Sequence, residues 1–177
     1  MVCLQETKCY EFSKESCYHL WSSNEIDWVK IGAINTARGI ITMWRRNSFN
    51  LTSSFNGRFF LVVECVWKVG LGVQVMIVNG YSSGSLKDRK KVWDEIYEIR
   101  KSQQSKVWCV VGNFNSIIWK EKRKNVVSVS DYSREIAKFN EFIENSELMD
   151  ISMVGRKFTW SKPNGSTKSK IDRILVS

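Results

Sequence analysis

The chain has one proline, Pro163, and ten glycines among 177 residues. So little of either excludes a linker or a low-complexity protein. Its cysteines are Cys3, Cys9, Cys17, Cys65 and Cys109, an odd number with no C-x-x-C pair among them. That argues against a disulfide framework and against a zinc site. The expectation is a reduced, intracellular protein with its thiols buried as small hydrophobes. No apolar run approaches the length of a membrane span, and the longest, "FFLVVECVW", contains Glu64. The opening "MVCLQETK" turns polar at Gln5, so no signal peptide and no membrane partner are expected. There is a single histidine, His19. Acidic residues are the minority: 18 Asp and Glu face 27 Lys and Arg, giving a net charge of +9 and a pI of about 9.4. Such a surface attracts polyanions, of which nucleic acid is the commonest.

What is plentiful is apolar side chain. Hydrophobic residues make up 43%, with eight Trp and nine Phe. That suffices for the core of one domain, expected over residues 1–177. Strands are predicted at Met1 to Leu4, Tyr18 to Trp21, Gly39 to Trp44, Arg58 to Trp67 and Val73 to Tyr81. Two glycines between the last two mark a hairpin. Val92, Trp93, Ile96 and Tyr97 recur at helical spacing, which predicts a helix between Ser85 and Gln104 with Ser85 as its cap. The strand Val107 to Val111 follows. After the polar "KEKRKNVVSVSD", Ile136, Phe139, Phe142 and Ile143 predict a second amphipathic helix, opened by Ser130 or Asp131. "MDISMVG", "KFTWS" and "IDRILVS" read as three short strands. Many strands, two helices and a hairpin indicate a mixed-sheet α/β domain.

Four strand ends carry unusual polar groups: Glu6; Asn79 with Tyr81; Asn113 with Asn115; and Asp172. Singly, each suits an ordinary turn. Together they suggest metal-assisted phosphodiester chemistry. Glu6 and Asp172 supply hard oxygens for Mg²⁺, which favours few carboxylates plus waters and phosphate. A tyrosine and an asparagine supply hydrogen bonds to phosphate oxygens. Basic runs at Lys87 to Lys91 and Lys120 to Lys124, flanked by aromatics, are candidate contacts to DNA.

The segments "LQETK", "GIITMW", "VNGY", "DRKKVWDEI", "VVGNFN", "KFNEFIENSELMDISMVGRKFTW" and "SKIDRILVS" come in a familiar order. In order and spacing they resemble the endonuclease/exonuclease/phosphatase superfamily, whose fold is called DNase I-like. The resemblance is closest to the endonuclease domain of plant LINE-type non-LTR retroelements, where that domain accompanies a reverse transcriptase. It implies a four-layer α/β sandwich, two stacked mixed β-sheets flanked by helices. It also implies a Mg²⁺-dependent hydrolase acting on DNA, in the nucleus. Carried over by motif, Glu6 matches the metal-binding glutamate, Tyr81 the phosphate-contacting tyrosine and Asn115 the asparagine that orients the scissile phosphate. Asp172 matches the aspartate that supports a catalytic histidine.

Departures from the pattern set the expected activity. The superfamily's "GDFN" is "GNFN" here, so Asn113 stands where an aspartate positions or deprotonates the attacking water. General-base assistance is worth roughly 10²–10⁴-fold. A segment ahead of Glu6 and a Ser-Asp-His motif beyond Ser177, both usual in the superfamily, are not in this sequence. His19 lies outside every motif and reads as a structural or surface residue. The expectation is therefore a sandwich incomplete at both ends, with little or no hydrolysis and with unpaired edges favouring self-association. The alternatives are a non-catalytic nucleic-acid-binding module and an active phosphoesterase working on a small phosphate ester.

Overall fold

The computed structural model describes residues 1–34, 37–69, 71–82, 84–104, 106–119, 123–124, 130–155 and 157–177. A three-stranded antiparallel sheet has the order β1 (Val2–Gln5), β3 (Ala37–Arg45), β2 (Ile26–Ile34). The helix α1 (Lys14–Trp21) packs on one face of it through Cys17, against Ile26, Ile41 and Met43. Residues 18–21, expected as a strand, are the second half of this helix. Four residues are too few to reveal a period. The deciding signals are the Ser13 cap, whose Oγ accepts from the Ser16 N–H at 3.1 Å, and Ser22, which ends the helix with φ 58°. His19 is exposed in the last turn of α1.

A six-stranded sheet lies against the other face of the small sheet. Its order is β4 (Phe49–Asn56), β5 (Phe60–Trp67), β6 (Val73–Tyr81), β7 (Val107–Asn113), β12 (Asp172–Val176) and β9 (Met149–Asp150). β5 and β6 pair as an antiparallel hairpin, as the two glycines between them predict; of these, Gly70 lies outside the described residues. β6 and β7 are parallel, joined by α2 (Leu86–Ser102), while every other pair in this sheet is antiparallel. Ser85 caps α2 by accepting from the Asp88 N–H. The helix α3 (Ser130–Asn145) begins within the expected range, but the side chains of Ser130 and Asp131 lie outside those described. Three two-residue strands, β8 (Arg123–Lys124), β11 (Lys168–Ser169) and β10 (Trp160–Ser161), form a small separate sheet.

The run Phe60 to Val63 is apolar without alternation because both faces of β5 are buried there. Phe60 and Val62 point to the helices, where they meet Trp93, Ile96, Phe139 and Phe142. Leu61, Val63 and Cys65 point to the small sheet, where they meet Ile40 and Trp44. Three apolar clusters thus fill the gaps of a four-layer sandwich: α1, small sheet, large sheet, then α2 with α3. Burial of this kind is the main favourable term, about 1.5–3 kcal/mol for each large side chain. All five cysteines are free thiols; burial pushes Cys3 up to about 12 and Cys65 to about 11, so neither ionises near neutral pH. No helix among the described residues is long and apolar enough to cross a membrane.

Candidate active site

The site forms where three strands of the large sheet end side by side. Tyr81 of β6 pairs in register with Asn113 of β7, and Asn113 pairs with Asp172 of β12. Three of the residues singled out in the sequence therefore share one row across adjacent strands. One residue earlier, β6 and β7 meet glycine to glycine, Gly80 opposite Gly112. A Cβ on Gly112 would lie 1.8 Å from the Gly80 carbonyl oxygen, and its φ of +145° is one that side chains disfavour. β6 pairs with β5 through Gly80 and with β7 through Tyr81.

Asn115 follows on the turn. Its backbone has φ 49°, which asparagine tolerates. The turn is closed by Asn113, whose Oδ1 accepts from the Asn115 N–H at 3.0 Å. The Asn115 Nδ2 donates to the Ser82 carbonyl at 2.6 Å, so one of its amide hydrogens fastens the loop instead of facing a ligand.

Glu6 comes from the other sheet, directly after β1. It is exposed, with φ 53°. A left-handed glutamate costs about 1–2 kcal/mol, and strain of this kind gathers at functional sites. The Thr7 N–H donates to the Gly39 carbonyl at 3.1 Å, holding the turn onto β3. Gly39 has φ +79°, and a Cβ there would lie 2.3 Å from the Thr7 Oγ1, so the "GI" of β3 needs its glycine. The charge of Glu6 reaches the Asp172 carboxyl. Burial pushes the Asp172 carboxyl above its usual range, hydrogen bonds from Thr159 and its own backbone oppose this, and the charge of Glu6 adds to the rise. Among the described residues no group of three His, Cys, Asp or Glu is placed to hold a metal ion. Glu6 and Asp172 are carboxylates whose hard oxygens suit a divalent cation; burial is the main cause of the raised Asp172 carboxyl and the charge of Glu6 a smaller one.

No protein-family model matches this sequence, and no curated protein matches it. Solved structures do match. An AP endonuclease of Leishmania major aligns over 99% of this chain and 68% of its own, at 15% identity and a TM-score of 0.74. The catalytic domain of Xenopus laevis APE2 aligns over 99% and 73%, at 10% identity and 0.66. The human Nocturnin catalytic domain, solved with a bound sulfate, aligns over 99% and 68%, at 16% identity and 0.63.

The fold is the DNase I-like α/β sandwich. At these identities the likeness is one of fold, and the chain spans about two-thirds of the length of the first of these structures.

Within this DNase I-like sandwich, three residues without a role assigned from sequence hold the site. The Thr159 Oγ1 accepts from the N–H groups of Ile171 and Asp172, both at 3.1 Å, and so fixes the start of β12. Arg89 of α2 donates to the Asn115 carbonyl at 3.2 Å and pairs with Glu135 of α3 at 2.7 Å. That interaction takes Arg89 out of the basic run Lys87 to Lys91, while Lys90 pairs with Asp94; Lys87 and Lys91 stay exposed. Of the run Lys120 to Lys124, only the backbone of the last two residues lies within the described residues. The third residue is Asn79, wholly buried on β6. Each stands inside a segment whose resemblance was evident, "KFTW", "DRKKVW" and "VNGY". Their partners are distant in sequence, which spacing does not reveal.

Proposed function

We propose that this chain is a DNase I-like domain of the endonuclease type, derived from a LINE-like retroelement. In this reading it binds a divalent cation and a DNA phosphodiester but hydrolyses it weakly or not at all. The support is the row Tyr81–Asn113–Asp172 with Glu6 beside it. One observation carries the low activity. The Asn113 Oδ1 is committed to the Asn115 N–H, so the polar end left over is the Nδ2 group, which has hydrogens to donate and no lone pair for a proton. An aspartate would keep that hydrogen bond with one oxygen and offer the second to water.

Glu6 and Asp172 would hold Mg²⁺, which when bound neutralises phosphate charge and polarises the phosphorus–oxygen bonds. The Tyr81 hydroxyl would donate to a phosphate oxygen, and the remaining Asn115 amide hydrogen would orient it. The β10–β11 hairpin supports DNA as the polyanion. It carries exposed Lys157, Lys162 and Lys168 around a Trp160 that is 40% exposed, and it is tied to Asp172 through Thr159. Lysines beside an aromatic suit a nucleic-acid strand. The same hairpin favours the second reading, a module that binds nucleic acid without cutting it.

Nicking of supercoiled plasmid in Mg²⁺ tests the reading. The wild type should nick barely, Asn113→Asp should nick roughly 10²-fold faster, and adding Glu6→Gln should remove the gain. Brisk nicking by the wild type that survives Glu6→Gln would refute it. Plasmid retention without nicking in any folded variant, weakening steeply with salt, would establish the binding module instead.

A further inference from the structure

Asn79 has no access to solvent, yet its side chain is polar at both ends and both ends are used. Its Oδ1 accepts from the Gln5 Nε2 at 2.5 Å. Its Nδ2 donates to the Ile41 carbonyl at 3.0 Å and the Thr42 Oγ1 at 3.1 Å, with the Leu4 carbonyl at 3.4 Å. All four partners belong to the small sheet, on β1 and β3, whereas Asn79 belongs to β6 of the large one. Elsewhere the gap between the sheets is filled by apolar side chains such as Leu61, Val63, Ile77 and Ile40. Apolar contact is not directional and fixes sliding poorly. A buried amide bonded at both ends is directional, and leaving either end unpaired costs about 1–3 kcal/mol.

The location gives this contact its consequence. Gln5 is the last residue of β1, and Glu6 follows it immediately. Asn79 is two residues before Tyr81, whose row holds Asn113 and Asp172. The hydrogen bond from Gln5 to Asn79 therefore joins the chain segment carrying one carboxylate to the sheet carrying the other, one residue from the first. We infer that Asn79, acting through Gln5, is a positioning residue. It sets the separation of Glu6 from Asp172 and so tunes the affinity of the pair for a divalent cation. This rests on the cation-binding reading of the site.

The test is Mn²⁺ binding to the whole chain by calorimetry, without DNA, for the wild type, Gln5→Met, Asn79→Leu and the control Val78→Ala. Gln5 is only half-buried, so Gln5→Met should fold even where Asn79→Leu does not. Val78 is buried on the helix-facing side of the same strand and reports destabilisation alone. Removing a group that orients a ligand costs about 10–100-fold in metal affinity. Gln5→Met should therefore bind Mn²⁺ at least about tenfold more weakly than the wild type, and Val78→Ala should match the wild type. Equal affinity in wild type and folded Gln5→Met would overturn the role of Asn79 while leaving the cation site standing. Loss of affinity in Val78→Ala equal to that in Gln5→Met would also overturn it, since mere loosening would then explain both. No Mn²⁺ binding by the wild type would refute the cation site itself.

Discussion

The two ends of β7 are built on opposite principles. Where the strand begins, Lys106 reaches across to Glu64, the lone acid in the apolar run of β5, and the Ser53 hydroxyl donates to the same carboxylate at 2.8 Å. The hydrogen bond from Lys106, then that from Ser53, holds the Glu64 carboxyl below the usual range. Opposite charges meet there, and the interaction favours the fold. Where β7 ends, burial holds the Asp172 carboxyl above the usual range, and the charge of Glu6 adds to the rise. Asn113 adds an amide with no charge, and Glu6 carries a left-handed backbone. The first end is arranged for stability. The second gives up stability in a pattern characteristic of sites that bind or react.

The site end of β7 depends most on its glycine. Gly112→Ala forces a methyl group into the Gly80 carbonyl. It should cost at least about 3 kcal/mol in urea denaturation, because backbone on both sides must move. A cost under about 1 kcal/mol would mean that the close approach is not a constraint. Next in size is Glu64→Gln, expected to cost about 1–3 kcal/mol at neutral pH. Its folded carboxyl is depressed, so its stabilisation is present above the usual glutamate range and is lost as pH falls through the folded value. The difference between Glu64→Gln and the wild type should therefore close in acid.

Asp172→Asn should act in the other direction. Its folded carboxyl is raised, so the stability it contributes is present below the usual aspartate range and lost as pH rises through the folded value. At neutral pH the variant should be more stable than the wild type, by about 0.5–1 kcal/mol, with the gain vanishing in acid. The smallest effect is electrostatic alone: Glu6→Gln should lower the titration midpoint of Asp172, followed by carboxyl NMR, because one cause of its rise is removed. An unchanged midpoint would separate the two carboxylates.

The sequence revealed elements wherever the local pattern was strong. The two long amphipathic helices, the β5–β6 hairpin and the strand ending in "GNFN" were legible, as was the sandwich, through resemblance. Two long strands of the structure were not, nor were the two-residue strands β8 and β11. β2 carries Asp27 and Lys30 within its apolar run, and β4, "FNLTSSFN", is polar and largely exposed. β4 forms because β5 offers an edge to pair with, which is a tertiary cause. The residues that line the site were legible as unusual polar groups at strand ends. Of the residues that hold them, Asn79 was legible as such a group but its partners were not, and Thr159 and Arg89 were not legible at all, because all three act on residues between 12 and 75 positions away. Glu135 follows the same logic. It occupies a buried position of α3, and only the partner Arg89 on another helix explains a charge there.

The most direct test of the account is urea denaturation of the wild type and Asp172→Asn at neutral pH, with and without saturating Mg²⁺. Without the cation, Asp172→Asn should be the more stable of the two. With it, the wild type should gain about 1–3 kcal/mol by binding linkage and become the more stable, while Asp172→Asn gains little. That reversal would show that the strain at the end of β7 is relieved by a divalent cation. The same order and the same gap in both conditions would mean that the paired carboxylates serve no cation, and the proposed site would fall with them.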